Sequence, residues 1–301
     1  MSKYITLFTT IFVVAFYAAA VTPIETLQSD ASLEKKIEAC RLISISGNAD
    51  AIPVLEPLLE DAKLAHMARY ALEPMKSEEA DAALLRALQA TTDKLKAGII
   101  ASLGVRKTVA AVPDLIPLLG DANGFVVEAT ARSLGRIAEP EGIAALEEHL
   151  SKDDLSYAVK QALGDGIFAA AETLLEKDNG AEAARLYDAV YAAKTLPMPV
   201  RAAALRGAVL ARETQEALPL LIDAIRGENA VFFTAALRTV MDMEQPGYAA
   251  NHLVKALPDL PEDRKIRVVQ LLGELGQNSL GRAVLKEAET GTIPVRIAAL
   301  T

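Results

Sequence analysis

Ala111-Val112-Pro113-Asp114-Leu115-Ile116-Pro117-Leu118-Leu119 is the stretch that decides the fold, because the chain repeats its plan. Its opening tripeptide has counterparts at Ala51-Ile52-Pro53 and Ala217-Leu218-Pro219. Each is followed by the same apolar spacing: Leu115, Leu118 and Leu119; Leu55, Leu58 and Leu59; Leu221, Ala224 and Ile225. Steps of three and four residues draw one stripe along a helix. The proline is expected in the first turn, where a missing N–H breaks no hydrogen bond. These segments are read as the second helix of a repeated hairpin.

The first helices have a signature of their own. Leu72, Leu103, Leu134 and Leu163 recur about every 30 residues, and Gly104, Gly135 and Gly164 follow three of them. Val127, Ala131, Leu134 and Ala138 share one helical face, and Asp121 and Asn123 stand where they can cap that helix. Val200-Arg201-Ala202-Ala203-Ala204-Leu205 and Val295-Arg296-Ile297-Ala298-Ala299-Leu300 are later copies. The expected units span 33–60, 63–90, 92–120, 123–151, 153–194, 197–226, 229–257 and 261–289, and a ninth first helix begins at Thr292. A helix of about 12 residues is marginal alone, so each hairpin must bury its stripe against the next. The expectation is an all-α, right-handed α-α superhelical solenoid of about eight hairpins, with a concave face lined by the second helices. Length alone would suggest roughly two domains, a rule that a repeat array escapes.

Composition agrees. Of 301 residues 51% are hydrophobic, only 5% are aromatic, and Trp is absent, which suits Ala- and Leu-rich helices in close approach. The formal net charge is −9 and there is no basic run, so the electrostatic footprint of nucleic-acid binding is missing. Cys40 has no second cysteine to pair with and falls in an apolar stretch, which reads as a small buried hydrophobe.

At the N-terminus a single cation, Lys3, precedes an apolar run from Ile5 to Val21, and Ala18-Ala19-Ala20 supplies a small-residue cleavage pattern. Residues 1–20 are therefore expected to be a signal peptide, 21–32 a short leader and 33–301 the solenoid, exported to the periplasm or secreted. Membrane attachment would follow only if the N-terminal segment stayed uncleaved. The chain stops at Thr301 inside a first helix, leaving Val295, Ile297 and Leu300 without a hairpin partner. That end is read as continuing sequence in preference to an oligomer contact or a fragment.

The A-[IV]-P-x-L second helices and V-R-x-A-A-L first helices resemble HEAT repeats of the short type, armadillo-like helical repeats also found in the bilin lyase group. The resemblance spans roughly residues 33–301 and implies a scaffold. More narrowly, Pro199 to Arg206, Ala256 to Pro261 and Val295 to Leu300 are similar to HEAT regions of large secreted proteins of Planctomycetes and Verrucomicrobia. There the array often adjoins a sugar-hydrolase-like sandwich or a c-type cytochrome.

Motifs for chemistry are missing. His66, His149 and His252 fall in different repeats, and the sequence has no H-E-x-x-H, C-x-x-C or C-x-x-C-H pattern. HEAT-fold iron hydroxylases resemble this architecture but need paired His-Glu steps; Glu148-His149 is reversed and isolated. No phosphate loop or nucleophile elbow occurs, and Gly164-Asp165-Gly166 is read as a helix C-cap. Glu78-Glu79, Glu147-Glu148 and Asp153-Asp154 read as charges on helix flanks. Tyr187 and Tyr191, one turn apart in the long fifth unit, read as packing rather than as an aromatic ligand platform. Arg69, Arg132, Arg201, Arg238, Arg267 and Arg296 recur in first helices and read as a ladder of ion pairs rather than an anion-binding row. No catalytic, cofactor or metal residue is therefore expected. The expected function is a non-catalytic scaffold with a protein or peptide on its concave face. The alternatives are an adaptor segment of a longer secreted enzyme and a HEAT-like lyase.

Overall fold

The computed structural model describes residues 21–300, so the expected signal peptide and Thr301 lie outside the described residues. These residues form helices joined by short turns, without a strand among them. The leader carries a short helix, α1 (Pro23–Gln28), held by a reciprocal capping box between Thr22 and Glu25 and packed on the first hairpin. Eight hairpins follow. The first pairs α2 (Leu33–Ser46) with α3 (Ile52–Leu55), and the second α4 (Ala65–Leu72) with α5 (Glu78–Ala90). The third and fourth are α6 (Asp93–Val105) with α7 (Val112–Leu115) and α8 (Gly124–Ile137) with α9 (Pro140–Leu150). The fifth and sixth are α10 (Tyr157–Glu176) with α11 (Gly180–Ala192) and α12 (Met198–Leu210) with α13 (Thr214–Arg226). The seventh and eighth are α14 (Ala230–Asp242) with α15 (Pro246–Ala256) and α16 (Glu262–Leu275) with α17 (Asn278–Thr290). A further first helix, α18 (Ile293–Leu300), packs on α16 and α17. The expected helical repeat array is present, unit for unit.

Proline chemistry shapes the second helices. In α3 and α7 the first proline sits in the opening turn, as expected, but Pro57 and Pro117 follow four residues later. A proline there removes an N–H and crowds the carbonyl of residue i−4. The α-helix accordingly passes into 3-10 turns at Glu56–Glu60 and Ile116–Gly120. The third copy departs from expectation: α13 begins at Thr214, so Pro219 lies inside it. Pro219 and Gln215 are both exposed, so the carbonyl left without its helical donor faces water.

Gly164 and Gly166 also depart from expectation. They do not cap a helix; α10 continues ten residues beyond Gly166, to Glu176. The reason lies in the neighbouring helix. A Cβ on Gly135 would stand 1.9 Å from the carbonyl oxygen of Gly166, and one on Gly166 would stand 2.3 Å from that of Ala131. Helices α8 and α10 thus touch backbone to backbone, which only a side-chain-free surface permits. On the other side of α8, Ser133 donates its hydroxyl to the Ile100 carbonyl at 2.9 Å, joining it to α6. The corresponding second helices hardly meet across α7, α9 and α11. In the middle of the array the first helices therefore pack more closely on one another than the second helices do.

The buried residues form two clusters, Leu27 to Ala208 and Leu205 to Val295, which meet in α12. The long fifth unit stands at this junction. Tyr187 is buried and lies flat against Gly207, with the Phe168 ring centroid 5.6 Å away; Tyr191 meets Phe232 edge-on at 4.9 Å. Both tyrosines pack the joint between the clusters.

Candidate binding surface on the first helices

The two rows of helices handle their charges differently. Along the second helices, arginines pair with acids one repeat away. Arg86 of α5 holds Glu56 at 2.6 Å and Glu79 at 2.7 Å, and Arg185 of α11 holds Glu147 and Glu182, both at 2.7 Å. Arg226 of α13 reaches Asp259 at 3.1 Å. Hydrogen bonds from the guanidinium groups hold the carboxyls of Glu56 and Glu182 below the usual carboxylate range. Exposed pairs of this kind contribute at most about 1 kcal/mol each.

The six arginines singled out on the first helices mostly do something else. Arg132 alone joins a ladder, with Glu128 at 3.5 Å and Asp165 of the next first helix at 3.4 Å. Arg69 donates to the Gly98 carbonyl at 3.0 Å and the Ser102 hydroxyl at 3.3 Å, and burial lowers its pKa. Arg201 donates to the Tyr191 carbonyl and lies 5.1 Å over the Phe232 ring. Arg267 donates to the Thr234 hydroxyl at 3.0 Å and lies 5.2 Å over Phe233. Arg296 donates to the Ala288 carbonyl, and Arg238 makes no ion pair among the described residues. The expected ion-pair ladder thus holds at one position of six. The reason is local: Arg69, Arg201, Arg267 and Arg296 take carbonyls, hydroxyls or ring faces as their hydrogen-bond and ring partners instead of carboxylates.

Three further arginines are structural and were not distinguished in sequence. Arg106, almost fully buried, gathers the C-terminal carbonyls of α4: Leu72 at 2.8 Å, Glu73 at 3.1 Å and Met75 at 2.6 Å. It also holds the Ser77 carbonyl and Asp81, which it meets at 2.7 Å. Burial alone would raise the Asp81 carboxyl, but hydrogen bonds from Arg106 and Thr108 outweigh it and hold the pKa down. Arg212 joins the Ala208 carbonyl to Asp188, and buried Arg264 reaches the Ile225 and Gly227 carbonyls. Such clamps satisfy helix-end acceptors that have no partner inside their own helix.

The histidines remain apart. His66 sits 3.4 Å from Arg69, His149 2.7 Å from the Lys152 ammonium, and His252 stacks on Tyr248. Among the described residues, no three His, Cys, Asp or Glu side chains are placed to hold a metal ion. Cys40 is fully buried, and desolvation pushes its thiol up to about 11.

The first-helix row opens at its C-terminal end. Between α14 and α16 lies a recess of about 250 Å³ lined by Leu237, Arg238, Met241, Arg267, Gln270, Leu271 and Glu274. Across α16, Gln270 and Glu274 also line a second recess of about 410 Å³, with Gly273, Val284, Ala298 and Ala299. The two recesses flank α16, and Val284 of α17 also lines the second.

Comparison with known proteins agrees with this architecture in one stretch. Residues 82–164 match the family of HEAT repeats. That match runs from α5 into the first half of α10 and includes Gly135 but stops short of Gly166. No curated protein matches the chain. Among solved structures, human deoxyhypusine hydroxylase in complex with glycerol is 19% identical, with 83% of this chain and 94% of that one covered and a TM-score of 0.37. The complex of CpcE and CpcF of phycocyanin lyase from Nostoc sp. PCC7120 is 18% identical, with 91% and 100% covered and a TM-score of 0.34. An engineered protein is 15% identical, with 92% and 96% covered and a TM-score of 0.34.

Proposed function

We propose that the chain is a non-catalytic scaffold that holds a protein or peptide segment on its first-helix face. The observation that supports this reading is the asymmetry of the two rows. Arg86, Arg185 and Arg226 on the second helices pair with acids of the same chain, whereas on the first helices Arg41, Arg132 and Arg206 do so but Arg238 and Arg267, beside exposed Met241, make no ion pair among the described residues. Exposed aromatic, methionine and arginine side chains are the types enriched where proteins recognise one another. The proposed site of action is the periplasm or cell envelope, on the strength of the apolar run at residues 5–21.

The test is a photo-crosslinking amino acid placed at Tyr70 or Met241 on one row, and at Gln89 or Pro219 on the other, in cells that make the protein. Adducts from the first row and none from the second are expected. Adducts from the second row alone, or from neither, would overturn the reading. A purified protein that retains a bound chromophore would overturn its non-catalytic part.

A further inference from the structure

The recess between α14 and α16 has a chemistry specific enough to name its occupant, provided the scaffold reading holds. Its floor is apolar: Leu237 and Leu271 are 7% and 6% exposed. Its wall is Met241, 47% exposed, whose flexible thioether adapts to differently shaped apolar groups. Its rim is cationic. Arg238 makes no ion pair among the described residues, and Arg267 is positioned by the Thr234 hydroxyl and the Phe233 ring, neither of which cancels its charge. Arg264 approaches the same ring at 4.8 Å, with its donors on main-chain carbonyls. Glu274 is the single carboxylate in the lining, set against two guanidinium groups. On a chain of net charge −9 this is a local reversal of sign.

We infer that this recess seats an apolar side chain of a partner protein segment in which that residue is flanked by aspartate or glutamate. The apolar group would cover Leu237 and Leu271, and the flanking carboxylate would meet Arg238 and Arg267. A guanidinium matches a carboxylate with two parallel N–H donors. A simple anion would leave the apolar floor unused, and a basic segment would meet like charge. Gln270, which lines both recesses, offers an amide to a passing backbone, and exposed Gly273 beside it presents little bulk. Arg238 and Arg267 stand one repeat apart, so two cations can act on one segment in an extended or helical form.

The experiment uses the full chain and a displayed library of random short peptides. Enriched sequences are expected to join a Leu, Phe or Met to Asp or Glu. Binding of the best synthetic peptide should fall about tenfold in Arg238→Glu with Arg267→Glu. It should persist in Arg185→Glu on the other row, and Lys in place of the peptide's acids should restore binding to the double variant. Circular dichroism identical to that of the parent shows that the variants are folded. Met241→Ala, which removes the exposed apolar wall of the recess, should weaken binding independently of charge. Enrichment of basic or purely polar peptides overturns the proposal, as does binding indifferent to both reversals. If peptides bind the first-helix face but lose affinity only with Tyr70→Glu, the recess is wrong and the scaffold reading stands. If none binds, or all bind the second-helix row, both fall.

Discussion

Substituting Gly135 by alanine adds one methyl group where two helix backbones meet most closely. The new Cβ would lie 1.9 Å from the Gly166 oxygen, whereas ordinary contact begins near 3.4 Å. Relief requires α8 and α10 to part by about 1.5 Å, because the obstacle is backbone that no side-chain rotation can move. That separation would loosen Ala131, Leu134, Ile167 and Ala170, all fully buried along these helices. A gap of 0.5–1 Å already forfeits roughly a quarter to a half of a dispersion contact. Overpacking of this kind costs typically 1–3 kcal/mol, occasionally more. Against it stands a helix-propensity gain of about 1 kcal/mol for alanine over glycine. The clash, being unavoidable, belongs at or above the upper end of its range, so the net expected loss is about 2 kcal/mol. At about 2–4 °C per kcal/mol the melting temperature should drop by roughly 4–8 °C. Thermal and urea unfolding followed by far-UV circular dichroism measure it, with hydrogen exchange to show α8 and α10 opening first. A Gly135→Ala protein as stable as the parent would refute the backbone-contact seam.

Three further outcomes are expected. Gly273→Ala, where nothing lies within 4 Å of the added methyl, should stabilise the fold by about 0.5–1 kcal/mol in the same melts. Arg106→Ala removes a buried pair and four carbonyl contacts and should cost about 3 kcal/mol or more in urea unfolding. Its partner has a depressed pKa, so Asp81 contributes stability above its unfolded value of about 3.9, and that contribution is lost as pH falls through the folded value. The stability gap between parent and Asp81→Asn, followed by denaturation across acid pH, should therefore narrow below about pH 4. Arg185→Ala, at an exposed ladder position, should cost less than about 1 kcal/mol, and high salt should shrink the loss further.

The repeat boundaries were legible because they rest on local rules: apolar steps of three and four, prolines near helix starts, and Asn123 capping α8 through the Phe125 N–H. What escaped the sequence depends on a neighbour one repeat away. Gly166 looked like a helix end because its contact, the backbone of α8, lies some 30 residues earlier. Pro219 looked like Pro53 and Pro113, yet α13 starts a turn sooner and its exposed face tolerates the lost hydrogen bond. The six first-helix arginines looked equivalent by recurrence, but their partners follow from what the next helix offers each guanidinium. Arg106 and Arg264 carried no signal, since nothing local marks an arginine whose acceptors are the carbonyls of another helix end. The recess between α14 and α16 was likewise illegible, being a property of how far two similar helices stand apart.

The most direct test of the central claim, that the first-helix row is the binding face, is hydrogen exchange with and without a peptide selected on the full chain. Slowed exchange is expected in α14 and α16, with α13 and α15 unchanged. Protection confined to α13 and α15, with α14 and α16 unaffected, would contradict it.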